Sequence, residues 1–314
     1  MNSHLRIGSR PSPLALAQAR LVEASLKAQL PHLSVEIVTI RTSGDRLTTA
    51  SLADIGGKGL FIREIEQALV AGEIDIAVHS MKDLPARLSE QFRIVAVPPR
   101  EDPRDALIAR DGGPLASLPR GACVGTSSNR RRFEALRIRP DLEVVPMRGN
   151  VDTRLAKMAA GGFDAIMLAM AGLKRLGRAE GLVSQVLDDR DFVPAGAQGA
   201  LAIEALSQGA IAGSNELERT VVAINDRRAA AETAAERTFL ARIGASCATA
   251  VGVRCVLERD HLQIRALLFD AHGKRSLDDE IDRIVDENPA AAGLDLGERM
   301  LARGAAELVG DGRE

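Results

Sequence analysis

Two segments pair small hydroxyl residues with arginines at what reads as a strand end running into a helix start. They are Gly125-Thr126-Ser127-Ser128-Asn129-Arg130-Arg131 and Met147-Arg148-Gly149-Asn150-Val151-Asp152-Thr153-Arg154. Free N–H groups at a helix N-terminus, the helix dipole and guanidinium forks together suit anionic oxygens. Arg10, Ser12 and Lys82 fall in equivalent loops nearer the N-terminus. Any one such segment reads equally as a helix cap beside solvated arginines; several facing one cleft would suit a ligand with several carboxylates or phosphates. A further polar cluster, His79-Ser80-Met81-Lys82-Asp83-Leu84-Pro85, follows an apolar strand, where open α/β sheets place their ligands. Asp83 reads either as half of a surface pair with Lys82 or as a carboxylate that stabilises positive charge and moves protons. Of three cysteines, Cys123 and Cys255 lie in apolar β patterns and read as structural thiols, whereas Cys247 follows Gly244-Ala245-Ser246 in a loop and is a candidate nucleophile or attachment point.

Composition narrows the classes. Lys plus Arg (41) nearly cancels Asp plus Glu (43), so charge acts locally rather than as a global field; the cations are 35 Arg and 6 Lys, a bias toward bidentate recognition. Trp and Tyr are absent, which removes the stacking platforms of single-stranded nucleic-acid binders, so no nucleic-acid partner is expected. Cysteine spacing without a CxxC, together with five His, points to neither a disulfide framework nor a zinc site, and no metal is expected. The opening residues carry no apolar signal core and no run approaches a membrane span, so a cytoplasmic protein with no membrane partner is the expectation.

The elements that must position these residues alternate β and α. Leu5–Gly8 reads as a strand, and Pro11 and Pro13 precede a helix with Leu14, Ala17, Leu21 and Ala24 on one face, bordered by Val22 and Leu26. A β-rich run follows at 35–40, then Gly56-Gly57-Lys58-Gly59 opens a helix burying Ile62, Ile65 and Leu69, and Ile74, Ile76 and Val78 alternate as a strand. Strands near 94–97, 123–125, 144–147 and 165–169 interleave with helices near 130–136 and 153–160. The stretches Pro98–Arg104 and Pro194–Gly199 read as hinge crossings between two lobes. From about residue 216 a long Ala-rich helix runs through Leu240, followed by strands at 251–257, 261–269 and 276–284 and a closing helix near 290–309. The expected fold class is α/β with two mixed-sheet lobes on a two-strand hinge and a C-terminal α+β domain. The expected boundaries are 1–99 with 199–216, then 104–193, then 217–314.

In order along the chain, eight segments resemble the porphobilinogen deaminase (hydroxymethylbilane synthase) family: Arg10-Pro11-Ser12-Pro13-Leu14-Ala15-Leu16-Ala17-Gln18, Gly56-Gly57-Lys58-Gly59-Leu60-Phe61, His79-Ser80-Met81-Lys82-Asp83, Arg100-Glu101-Asp102-Pro103-Arg104-Asp105, Gly125-Thr126-Ser127-Ser128, Arg148-Gly149-Asn150, Ala171-Gly172-Leu173-Lys174-Arg175-Leu176 and Gln198-Gly199-Ala200. The resemblance implies two lobes like those of periplasmic binding proteins and a third domain carrying the cofactor cysteine. It implies a dipyrromethane held by a thioether, which maps onto Cys247, and a transferase of porphyrin and heme biosynthesis. Four porphobilinogen molecules would condense head to tail with loss of ammonia, and hydrolysis would release hydroxymethylbilane. The arginines gain a reason, since each pyrrole brings an acetate and a propionate and each carboxylate needs donors. By this resemblance Lys82, Ser128, Arg130, Arg131 and Arg154 hold cofactor carboxylates, Arg10, Ser12, Arg148 and Arg175 hold substrate, and Thr126 and Ser127 support them. Asp83 stabilises the charge that spreads over two pyrroles when ammonia leaves, Phe61 covers the ring and Lys58 belongs to a mobile lid. A monomer is implied. The chain departs from the family's usual Gly-Gly-Cys loop with Ala245-Ser246-Cys247-Ala248-Thr249-Ala250, has Asp54 where some relatives carry lysine, and has Asn129 in place of a common leucine. The same two-lobe layout serves non-enzymatic solute-binding proteins, so the fold alone leaves that reading open.

Overall fold

The computed structural model describes residues 3–46, 62–246, 248–284 and 288–310. In chain order it runs β1 (His4–Ser9), α1 (Pro13–Gln29), β2 (Ser34–Thr39), α2 (Ser43–Arg46), α3 (Arg63–Val70), β3 (Ile76–Ser80) and β4 (Phe92–Ala96). Then come β5 (Asp105–Ala109), β6 (Cys123–Gly125), α4 (Asn129–Ile138), β7 (Glu143–Val145), α5 (Val151–Ala159), β8 (Ala165–Ala169), α6 (Met170–Arg175) and β9 (Gln185–Val186). β10 (Leu201–Leu206), α7 (Asn215–Ala223), α8 (Arg227–Arg242), β11 (Val251–Glu258), β12 (His261–Phe269), β13 (Ser276–Ile284), α9 (Ala290–Ala302) and α10 (Ala305–Val309) complete it. No helix among the described residues is long and apolar enough to cross a membrane.

The chain forms two compact units, residues 1–101 with 200–231, and 102–199 with 232–314. The first holds a five-stranded sheet of order β2-β1-β3-β10-β4, with β1 parallel to β2 and β3 and β10 antiparallel to its neighbours. The second holds a sheet of order β7-β6-β8-β5-β9, with β6 parallel to β7 and β8 and β5 antiparallel to β8 and β9. The two sheets share one permutation: three parallel strands, then an antiparallel strand, then an edge strand. This is the mixed-sheet α/β class with a separate antiparallel sheet, β11-β12-β13, toward the C-terminus.

In unit 1 the buried face of α1 is Ala15, Gln18, Ala19, Val22 and Leu26. The expected face of Leu14, Ala17, Leu21 and Ala24 is rotated away, and Leu21 is 48% exposed. Gln18 explains the rotation: its amide bonds Ser80 at the end of β3 (2.8 Å), turning Ala19, Val22 and Leu26 onto Leu5 and Ile7. Each of these larger side chains contributes about 1.5–3 kcal/mol on burial. The single long helix expected after residue 216 is two helices, because Asp226 caps a new one by accepting from Ala229 N (2.7 Å) while Asn225 accepts from Val97 N (2.8 Å). The first of them, α7, puts Leu217 and Val221, with its C-cap Ile224, into the unit 1 core with Leu5 and Ile7.

In unit 2 the segment 194–199 is stapled on both sides. Ala197 N donates to Glu236 on α8 (2.6 Å), Val253 N to Pro194 O (2.9 Å), and Gln198 Nε2 to Asp105 Oδ1 (2.8 Å). The C-terminal sheet has its own core of Phe239, Val253, Ile264, Leu268, Leu296 and Met300, to which α8 and α9 contribute. Gly293 permits the approach of α9 to α8, since a Cβ there would collide with the Ala235 carbonyl.

Candidate active site

Residues Arg10, Ser12, Lys82, Asp83, Thr126–Ser128, Arg148 and Arg175 all lie in turns or helices that directly follow the parallel strands β1, β3, β6, β7 and β8. Carboxyl ends of parallel strands are where open α/β sheets bind ligands, because the peptide N–H groups of the following turns point there. In unit 1, Ser12 is the N-cap of α1 and its hydroxyl accepts from Ala15 N (3.2 Å). Arg10 pairs with Asp45, its Nε 3.1 Å from Oδ1. Burial alone would raise the Asp45 carboxyl, but Arg10 and two donors from Thr42 hold it below the usual carboxylate range. Asp83 ends a 3-10 turn (Met81–Asp83) whose first N–H is fixed to Ala200 O (3.0 Å), and the side chains of Lys82 and Asp83 are exposed. Asp83 lines a cavity with Arg10, Gln18, His79 and Ser80. His79 is anchored below it by Glu204 on β10 (2.9 Å).

In unit 2, Ser128 caps α4 by accepting from Arg131 N (3.4 Å), Thr126 Oγ1 accepts from Ser128 N (3.2 Å), and Ser127 Oγ donates to Met147 O (2.7 Å). These hydroxyls thus brace the turn between β6 and α4. Arg130 and Arg131 are buried rather than exposed, and both converge on Asp105, which is fully buried at the start of β5. Arg130 Nη1 lies 2.7 Å from Asp105 Oδ2, and Arg131 Nη2 lies 2.7 Å from Oδ1. Burial would raise the Asp105 carboxyl, yet the two guanidiniums and Gln198 drive it far below the usual range. Asp105 and Gln198 are the residues that sequence reasoning missed as organisers of the site. A signal existed, since both sit inside the family-like segments, but their partners lie far away in sequence.

Two guanidiniums here are not fully used. Arg130 Nε is buried with no hydrogen-bond partner. Arg154, on α5, donates from Nε to Gly149 O (2.8 Å) and bonds no carboxylate among the described residues. Burial, then the charge of Arg131, pushes its guanidinium down to about 10. A desolvated cation without a counter-ion is costly, and an anionic ligand would remove the cost. Arg175 donates to Gly199 O (2.6 Å) at the end of α6, and Arg148 is half-buried before α5.

Cys247, Lys58 and Phe61 lie outside the described residues. On either side of Cys247, Ser246 N donates to Thr249 Oγ1 (3.0 Å) and Thr249 N to Ser246 O (3.1 Å). Asn129 at the start of α4 reaches Ala248 O (3.5 Å), so two departures from the family pattern touch one another. Of the other thiols, Cys255 is buried in β11, and Cys123 is half-buried, its pKa raised by burial and by Glu143 and Asp164, which disfavours the nucleophilic thiolate.

In each unit, strand-end turns with hydroxyl caps and guanidiniums suit anionic oxygens. Residues 5–212 match the family model described as porphobilinogen deaminase, dipyromethane cofactor binding domain, and residues 230–302 match the porphobilinogen deaminase C-terminal domain. Porphobilinogen deaminase of Syntrophus aciditrophicus is 43% identical over 305 residues, covering 97% of each chain. That of Roseiflexus castenholzii is 43% identical over 309 residues, covering 98% of this chain and 99% of its own. Among solved structures, the methionine binding protein MetQ aligns with 70% of this chain and 89% of its own at 11% identity and a TM-score of 0.43. Two family models in tandem and relatives matched over nearly their whole length place this chain in the porphobilinogen deaminase family.

Proposed function

We propose that the protein is a hydroxymethylbilane synthase, a transferase that joins four porphobilinogen molecules head to tail, loses one ammonia at each joining and frees the linear tetrapyrrole with water. What carries this reading is Arg154, a half-buried guanidinium that bonds no carboxylate among the described residues, beside the buried Arg130 whose Nε has no hydrogen-bond partner, in a chain whose family model is a dipyromethane cofactor binding domain. Lys82, Ser128, Arg130, Arg131 and Arg154 hold the cofactor carboxylates, with Thr126 and Ser127 bracing the turn that presents them. When bound, the dipyrromethane supplies the pyrrole carbon at which chain growth starts, and the Cys247 thiol is its point of attachment.

Arg10, Ser12, Arg148 and Arg175 take the acetate and propionate of incoming porphobilinogen, where paired donors replace the water each carboxylate gives up. Asp83 acts at the pyrrole N–H. When the aminomethyl group of porphobilinogen loses ammonia, the positive charge left behind is shared with the ring nitrogen, and a carboxylate accepting that N–H lowers its energy. The carbon that forms the new bond must then lose a proton, and Asp83 is the base that takes it up or passes it on. Phe61 covers the reacting ring and Lys58 belongs to the lid over it.

We further propose a monomeric, cytoplasmic enzyme whose only partner is this small-molecule substrate. The C-terminal region is its own domain, which the separate core around Phe239 and Leu296 supports. The test is stoichiometry. Purified protein given porphobilinogen should release one ammonia per substrate consumed and yield one linear tetrapyrrole per four. Binding without turnover would favour a solute-binding protein instead.

A further inference from the structure

Arg130 is approached by two carboxyl groups at one nitrogen. Its Nη1 lies 2.7 Å from Asp105 Oδ2 and 2.8 Å from Glu134 Oε2, and both acids are fully buried. Two carboxylates converging on one donor in a dry site do not both ionise without cost, which favours a proton on one of them. The environment decides which. Asp105 also receives Arg131 (3.0 Å from Nε and 2.7 Å from Nη2) and Gln198 (2.8 Å). Glu134 has only Arg130 and the backbone N–H of Val193, and its Oε1 is buried without a partner.

We propose that Glu134 is a positioning residue that carries a proton while the site holds a carboxylate ligand, and that loss of this proton weakens the hold of Arg130 on that ligand. The inference rests on Arg130 holding a cofactor carboxylate. A neutral Glu134 accepts from Nη1 and fixes the guanidinium while leaving its charge for the ligand. An ionised Glu134 lowers the net charge of the cluster by one and competes for the same cation. The charged groups facing Glu134 are Arg130 on its own helix and Asp105 on β5, with Arg131 on the far side of Asp105; the Phe192–Val193 segment offers a ring to Arg130 and backbone groups. Burial, and then repulsion by Asp105, push the Glu134 carboxyl up to about 8 against the pull of Arg130, so the change falls at pH values where the folded protein can be studied.

The test compares the thermal midpoint of the holoenzyme with that of a cofactor-free Cys247→Ser chain from about pH 6 to about pH 10, with and without Glu134→Gln. With Glu134 present, the holo-minus-apo gap should narrow as pH rises through about 8, by on the order of 2 °C. With Gln, an isostere of the protonated acid, the gap should hold its neutral-pH value across the range. Equal behaviour of the two series overturns the proposal. Infrared spectra provide a second reading that needs no variant to fold: the wild-type holoenzyme should show a protonated carboxyl stretch at neutral pH that disappears under alkaline titration, and its absence overturns the proposal. Failure of the underlying reading looks different. If Arg130→Gln leaves the holo-minus-apo gap intact while the protonated carboxyl is present, Arg130 does not hold the cofactor and the role of Glu134 there falls with it.

Discussion

Replacing Asp105 with Asn keeps the shape of the side chain and removes the one full negative charge facing two buried guanidiniums. Asp105 is fully buried, accepts from Arg131 and Gln198 at 2.7–3.0 Å, and its Oδ2 lies 2.7 Å from Arg130 Nη1 in an ion pair. The amide can keep one acceptor but turns its NH2 toward a donor on the other side, leaving a cation uncompensated. Removing one partner of a buried charge cluster costs about 3–5 kcal/mol, and because Glu134 can ionise to offset part of the loss, the lower end, about 3 kcal/mol, is expected. Urea unfolding at neutral pH measures it. The pH dependence supplies an independent check. Burial opposes ionisation of Asp105, but the arginines outweigh it and the folded-state pKa is depressed. A depressed carboxylate contributes stability that is fully present above the unfolded value of about 4 and is lost as pH falls toward the folded value. The difference between the two proteins should therefore shrink on acidification. A difference below about 1 kcal/mol at neutral pH, or one that does not change between about pH 7 and about pH 3, would refute the assignment of Asp105 as the charge that holds this site together.

Asp83→Asn should leave unfolding within about 0.5 kcal/mol, since the side chain is exposed, while turnover drops on the order of 10²–10³-fold; near-normal turnover would remove its proposed role. For Arg148→Ala, mass spectrometry of enzyme-bound intermediates should show stalled chain growth, and an unchanged distribution would count against a substrate contact. Gly293→Ala should destabilise the C-terminal domain by about 1–3 kcal/mol in thermal unfolding, because its Cβ meets the Ala235 backbone where α9 crosses α8; an unchanged midpoint would mean the crossing is looser than described.

The C-terminal strands were legible because apolar and polar residues alternate along them between turn residues, and β11, β12 and β13 lie within one residue of the expected spans. β5 and β10 were not. Both are interior antiparallel strands buried on both sides, so Asp105–Ala109 and Leu201–Leu206 show no alternation, and their alanines and leucines read equally as helix. The face of α1 was misplaced because Gln18 looks like a surface residue until Ser80 is beside it. In the site, strand-end turns with their hydroxyl caps were readable from local sequence. The burial of Arg130 and Arg131 was not, since it depends on Asp105 from a strand 26 residues earlier than Arg131, a pairing that only the sheet order creates.

A covalent pyrrole cofactor on one cysteine is visible in intact mass with peptide mapping around Cys247. The peptide carrying Cys247 should show a mass excess of two deaminated porphobilinogen units, lost in Cys247→Ser and retained in Cys123→Ser. A chain that is unmodified and stays so after incubation with porphobilinogen, or one modified at another residue, would contradict it.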